Sequence, residues 1–172
     1  RLTVKPNTTF FMKLSREAVT SASVPSFIKE QAAIHKVDMS KIVFEVAEPL
    51  IVTHLNKVKE FYSGIADIGC KFAIDHFGSG LNPFQVIKHI SPDYLKIDNS
   101  ITQEASSSPD ALEKLKSIID SAHEMEKKVV ATHLEDATSL AILWQCRVDY
   151  IQGYFLQEPS PDLNHDFNGL VI

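Results

Sequence analysis

The chain is poor in the residues that special chemistries need. Of 172 residues only Cys70 and Cys146 are cysteines, and neither sits in a CxxC pair. Zinc sites and disulfide frameworks need more thiols at closer spacing, so both cysteines read as small buried hydrophobes. No apolar run reaches the roughly 20 residues of a membrane-spanning helix, and the first residues lack a charged-then-apolar leader pattern. The expectation is a cytoplasmic protein with no membrane association. Basic residues are outnumbered, 17 Lys and Arg against 22 Asp and Glu for a net charge of −5, and they are scattered. That distribution excludes a reader of DNA or RNA backbones but leaves open a small anion held by one or two cations. A Gly-rich phosphate fingerprint is also missing: the Gly78-Ser79-Gly80 turn follows an acidic segment and has no lysine after it.

What is present is ordinary globular composition, 44% apolar and 23% charged, in one domain's worth of length. Short apolar runs at 9–14, 41–46, 71–75, 94–98, 128–134 and 148–159 alternate with helical patterns at 16–37, 50–69, 82–90, 109–126 and 136–146. Pro25 and Asn82-Pro83 mark helix starts and Gly69 a helix end. The runs are too apolar to face water on one side, which predicts a parallel sheet covered by helices. Glu45, Asp75, Lys96 with Asp98, Thr132 with Glu135, and Gln152 fall at or just past the ends of successive strands. In a (β/α)₈ barrel those ends converge on one mouth, whereas a doubly wound sheet gathers its polar groups at one switch point. The barrel is favoured. Trp144, with Leu140 and Leu143, is assigned to the core.

The segments "FEVAE", "AIDHFGSGLNPF", "YLKIDNSI", "ATHLED" and "YIQGYFLQEPS" resemble, in order and spacing, the motifs of EAL domains, the cyclic di-GMP phosphodiesterase family. The resemblance is strongest over 9–159 and implies a TIM-like (β/α)₈ barrel binding cyclic di-GMP across its mouth, with two divalent metals activating water in active members. A full barrel takes about 250 residues, and the family's signature glutamate falls upstream of residue 1. The expectation is one EAL-like domain over 1–172, N-terminally incomplete.

The resemblance also exposes departures. Glu45 and Asp75 match metal-ligand positions, but Lys13, His76 and Thr132 stand where the family has Asn, Asp and Glu. An ammonium 4 Å from a unit charge interacts by roughly 4 kcal/mol at an effective dielectric near 20, so Lys13 should repel a divalent ion and join Glu45 and Asp75 in a metal-free cluster. His76 beside Asp75 could ligate or act as a base. With no second nitrogen ligand it reads as a hydrogen-bonding replacement. The chain is therefore expected to have no catalytic residue, no metal and no required cofactor.

Ligand-binding candidates are Gln152 and Gly153 of the QGY motif, Glu135 as an acceptor for guanine N–H groups, His133 and Tyr154 as stacking faces, and Asp75. Lys96 pairs either with a phosphate or with Asp75 or Asp98; Phe155 reads as core; Glu48 is expected to orient the "FGSGLNPF" loop. The tail "LWQCRVDYIQGYFLQEPSPDLNHDFNG" and the "NPF" at 82–84 resemble the degenerate, FimX-type branch of the family. That likeness implies cyclic di-GMP reception without hydrolysis and regulation of type IV pili and twitching motility at the cell pole. It also implies a PilZ-domain partner and an upstream GGDEF-like domain. An active phosphodiesterase with a metal site rebuilt from His76, Asp98 and Glu135, an interaction module that has lost nucleotide, and a homodimer all stay open.

Overall fold

The computed structural model describes residues 8–161. Its strands are β1 (Phe10–Lys13), β2 (Ile42–Ala47), β3 (Lys71–Phe77), β4 (Tyr94–Ile97), β5 (Lys128–Ala131) and β6 (Tyr150–Ile151). Between them run α1 (Arg16–Thr20), α2 (Val24–His35), α3 (Glu48–Thr53), α4 (Leu55–Ile65), α5 (Pro83–Ile87), α6 (Asn99–Glu104), α7 (Pro109–Glu124) and α8 (Ala137–Gln145). Every strand pairing is parallel, and neighbours follow chain order from β1 to β6. A doubly wound sheet would reverse its order at a switch point; this one does not. The winding is that of the (β/α) barrel expected from the sequence.

Curvature is visible in the side chains. β1 and β4 are three strand spacings apart, about 14 Å in a flat sheet. Phe11 and Tyr94 nevertheless meet edge to face with centroids 5.1 Å apart, and Tyr94 reaches Tyr150 at 5.9 Å. The sheet therefore curls around these rings. Side chains alternate faces with period two. Phe44, Val46, Phe72, Ile74, Leu95, Ile97 and Val129 join helix residues such as Val58, Phe61, Leu115 and Ile119 in the outer core. Val43, Ala73, Tyr94 and Val130 form the inner one. In β2 to β5 both faces are buried, which is why these strands read as unbroken apolar runs, while β1 and β6 at the edges are more exposed. Each fully buried Phe or Ile in these layers contributes about 1.5–3 kcal/mol.

The N-terminal ends of the strands are pinned by aspartates. Asp93 accepts the Phe72 N–H at 2.9 Å, and Asp149 accepts the Val129 N–H at 2.8 Å while pairing with Lys128 at 2.6 Å and His123 at 2.9 Å. These contacts fix the base of the sheet, leaving the opposite ends to carry chemistry.

Several expectations are corrected. The pattern at 16–37 is two helices: Ser15 caps α1 through the Ala18 N–H, the chain leaves helical geometry at Ser21, and Pro25 begins α2 in its first turn. The pattern at 50–69 breaks at His54, whose φ of −131° ends α3 before α4 begins. Trp144 is not core but 67% exposed, while Leu143 is buried. Successive helical residues turn by about 100°, so Leu143 and Trp144 cannot share a face. Phe155 is also exposed, and the neighbouring Leu156 packs on the core instead. Cys146 is buried but Cys70 only half-buried; burial is the main cause pushing both thiols above their ordinary pKa, away from reactivity. Among the described residues no helix is long and apolar enough to cross a membrane.

Candidate functional site

The C-terminal ends of β1 to β4 bring six charged or titratable side chains together. Lys13 lies opposite Glu45 in the β1–β2 register, yet its Nζ crosses to Asp75 Oδ2 at 2.7 Å. Lys96 Nζ bonds Glu45 Oε2 at 2.7 Å and lies 4.0 Å from Asp75. His76 stands between two carboxylates, Nδ1 at 3.0 Å from Asp98 and Nε2 at 3.5 Å from Asp75. The result is one chain of pairs, Glu45 to Lys96 to Asp75, with Lys13 and His76 also on Asp75 and Asp98 beyond the imidazole.

The ion pair expected of Lys96 with Asp75 is present at 4.0 Å, but the shorter bond goes to Glu45, which the sequence did not indicate. Asp98 is turned away because it caps α6, its Oδ1 accepting the Ser100 N–H at 3.0 Å and hydroxyl at 2.6 Å. Its other oxygen anchors His76, a role the sequence reading missed; the Asp-x-Ser spacing at the strand end is the signal for it. His76 itself has φ 56°, and the β3–β4 register shifts between Ile74 and Phe77. Strict alternation would send His76 to the helix face; the bulge returns it to the mouth.

The buried charges are matched. Glu45 and Asp75 are each 6% exposed, and an unpaired carboxylate there would carry a penalty of several kcal/mol. Burial pushes the Asp75 carboxyl up, but the Lys13 hydrogen bond and the nearby Lys96 and His76 outweigh it and leave the pKa below the ordinary aspartate value. Asp98 follows the same pattern: burial raises it, and bonds from Ser100 and His76 lower it further.

Glu48 lies under the turn after β3. It is 2% exposed and accepts the Gly78 N–H at 2.7 Å; the Ser79 and Gly80 amides lie close to the same carboxylate, and the Ser79 N–H donates to the His76 carbonyl at 3.3 Å. Burial dominates and raises its pKa, those three N–H groups pull it down, and the charge of Asp98 adds to the rise. Gly78 has φ 92°, and a Cβ on Gly80 would stand 2.5 Å from Glu48 Oε1. Only a turn of this composition lets successive backbone amides come this close to one carboxylate.

The remaining candidates stand apart from the cluster. Thr132 is buried and donates to the Ile97 carbonyl at 3.0 Å, so its hydroxyl serves the scaffold. His133, at φ 58°, is exposed, with Nδ1 3.2 Å from the Thr132 hydroxyl. Glu135 and Gln152 are exposed. The backbone of Gln152 ties the end of β5 to β6, its N–H donating to Ala131 and its carbonyl accepting from Leu134. A Cβ on Gly153 would overlap the Leu134 backbone N and O, so the close approach it permits is to its own chain. Tyr154 is 67% exposed. Residues 162–169 of the tail lie outside the described residues.

A pair of divalent ions needs several free carboxylates to offset its charge. Here both Glu45 and Asp75 are occupied by ammonium groups, and among the described residues no group of three or more His, Cys, Asp or Glu is arranged to hold a metal. The donor set does not fit a two-metal centre.

Comparison with known proteins agrees with the fold and the motifs. The chain is similar to the FimX EAL domain from Pseudomonas aeruginosa, solved bound to c-di-GMP: 32% identity and a TM-score of 0.89 over 93% of this chain and 66% of that one. It is similar at 29% identity and TM-score 0.87 to the Xanthomonas citri FimX EAL domain in complex with c-diGMP, covering 93% of this chain and 63% of that one. Among curated proteins it is 28% identical over 152 residues to the cyclic di-GMP phosphodiesterase PdeF of Escherichia coli, covering 88% of this chain and 20% of PdeF. The chain spans about a fifth of the length of such relatives. The sequence model of the EAL domain matches residues 1–159, and the chain belongs to the EAL domain family.

Proposed function

We propose that this chain is a cyclic di-GMP receptor that does not hydrolyse its ligand. The observation that carries the reading is the double pairing of Lys13 with Asp75 and Lys96 with Glu45, each at 2.7 Å. The carboxylates that would face metal in active relatives are neutralised from within, so the mouth keeps its shape without a cation. Both FimX EAL domains named above were solved with the cyclic dinucleotide, which supports the choice of ligand. Gln152 and Glu135 are exposed in the segments that follow β6 and β5, as guanine-reading groups must be, and among the described residues neither side chain has a hydrogen-bond or ion-pair partner. His133 offers a stacking face, Gly153 and Asp75 shape the site, and buried Lys96 serves it by holding Glu45.

The 32% identity with FimX supports a wider proposal of the same kind: a cytoplasmic signalling module, located at the cell pole, regulating type IV pili and twitching motility. A PilZ-domain protein, an upstream GGDEF-like domain and a second copy of the chain are its proposed partners. A second reading, an altered phosphodiesterase, draws on the imidazole of His76 held between Asp75 and Asp98 and on the likeness to PdeF. The test is calorimetric titration of cyclic di-GMP in EDTA and then in Mn²⁺, with chromatography for the linear dinucleotide. Tight binding in EDTA without product supports the receptor. Metal-dependent conversion supports the enzyme, and no binding in either buffer refutes both.

A further inference from the structure

We propose that Lys13 is the group that meets the phosphodiester of the bound dinucleotide, an ammonium taking the anion-binding role that a metal has elsewhere. This rests on the receptor reading above. The two lysines of the cluster are not equivalent. The Lys96 side chain is 7% exposed, bonded to Glu45 at 2.7 Å with Asp75 at 4.0 Å. Lys13 is 57% exposed and, among the described residues, makes one hydrogen bond, to Asp75 Oδ2 at 2.7 Å. An ammonium has three donors, so two remain for a ligand at the rim of the mouth.

Position and electrostatics point the same way. Lys13 is the last residue of β1, on the row of strand ends that carries Glu45, Asp75 and Lys96. The other candidates there are acids, amides, hydroxyls and imidazoles, and the other ammonium is buried. A phosphodiester carries one negative charge and accepts N–H bonds best from a cation. Asp75 fixes the ammonium in advance, so little ordering is left for the ligand to impose. The same geometry allows a blander role, in which Lys13 only neutralises Asp75 and spares the ligand its repulsion.

A double-mutant cycle separates the two. Cyclic di-GMP is titrated in EDTA into the full chain and into Lys13→Met, Lys13→Arg, Asp75→Asn and Lys13→Met/Asp75→Asn. The expected result is a loss of about tenfold or more in Lys13→Met, as for a lost hydrogen bond to a charged group. Lys13→Arg, which keeps the charge, should stay within about threefold of wild type. The Lys13→Met loss should persist with Asn at position 75, where there is no charge left to neutralise. A loss below about twofold, or one that vanishes in the Asp75→Asn background, overturns the proposal while leaving the receptor reading intact. Unfolding midpoints confirm that each variant is folded, and a twofold or smaller effect in Asp75→Asn/Lys13→Met relative to Asp75→Asn decides the case even if Lys13→Met alone is unstable. Absence of binding by the wild type removes the receptor reading and this inference together.

Discussion

Removing Glu48 should loosen the turn over the mouth and destabilise the domain by an amount that its environment sets. The side chain is buried, and its carboxylate accepts the Gly78 N–H with the amides of Ser79 and Gly80 close by. In Glu48→Ala the three donors fare differently. Ser79 keeps its bond to the His76 carbonyl and Gly80 is exposed to water, whereas Gly78 is half-buried under the turn. The cost is therefore one charged hydrogen bond, about 1.5–3 kcal/mol, plus the lost packing of the side chain, less what is regained by no longer holding an ionised group where burial raises its pKa. A net loss of about 2–3 kcal/mol follows. At about 2–4 °C per kcal/mol for a chain of this size, the midpoint should fall by about 4–12 °C. Glu48→Gln keeps the volume and one acceptor oxygen but turns an NH₂ toward the same donors, so about 1–2 kcal/mol is expected. Thermal unfolding measures both, and hydrogen exchange at the Gly78 amide reports whether the turn opens locally. A midpoint within about 1 °C of wild type in Glu48→Ala, with Gly78 exchange unchanged, would refute the reasoning.

Gly153→Ala should cost at least about 2 kcal/mol in urea unfolding, because its Cβ overlaps backbone at Leu134 rather than a movable side chain; a cost under about 0.5 kcal/mol would sink that account. Asp75 and Asp98 have lowered pKa values, so their contribution is fully present above the unfolded aspartate value of about 3.9 and is lost as pH falls through the folded values. Asp75→Asn should flatten the acid limb of the stability profile, and an unaltered limb contradicts the ion-pair assignment. Lys13→Asn with His76→Asp and Thr132→Glu should create Mn²⁺ binding detectable by calorimetry; no heat of binding would mean that more than these three positions excludes metal. On the receptor reading, alanine at Gln152 or Glu135 should weaken cyclic di-GMP binding by about 1–3 kcal/mol, and unchanged affinity removes that residue from the site.

The central strands were legible because both faces of β2 to β5 are buried, which leaves no polar alternation to confuse them. The pairing of Lys13 with Asp75 was legible too, since both positions lie at strand ends facing the mouth. The shorter bond of Lys96, to Glu45, was not. Choosing among Glu45, Asp75 and Asp98 depends on how far the sheet curls and on which carboxylate a neighbouring helix has already claimed, and Asp98 is claimed by Ser100. The orientation of His76 depends on a one-residue bulge with positive φ at a non-glycine position, which no local propensity announces. Trp144 differs from expectation for a simpler reason: it is apolar, but its helical angle carries it off the face that buries Leu143.

The replacements at the mouth make sense together and not singly. By the family resemblance, two divalent ions would bring four positive charges. On the same resemblance, His76 and Thr132 in place of carboxylates, and Lys13 in place of a neutral amide, move the site three charges in the same direction. Loss of the metals without those exchanges would strand buried acids such as Glu45 and Asp75 at a cost that a domain of marginal stability could not absorb. On the proposed reading, restoring one family residue at a time should therefore destabilise the domain before it restores any affinity for metal. Lys13→Asn alone removes the short bond to Asp75 and leaves that carboxylate to Lys96 at 4.0 Å and His76 at 3.5 Å. Its unfolding midpoint should fall at neutral pH with no gain in Mn²⁺ binding, and the deficit should shrink as acid protonates Asp75. A deficit independent of pH would place the role of Lys13 in packing rather than charge.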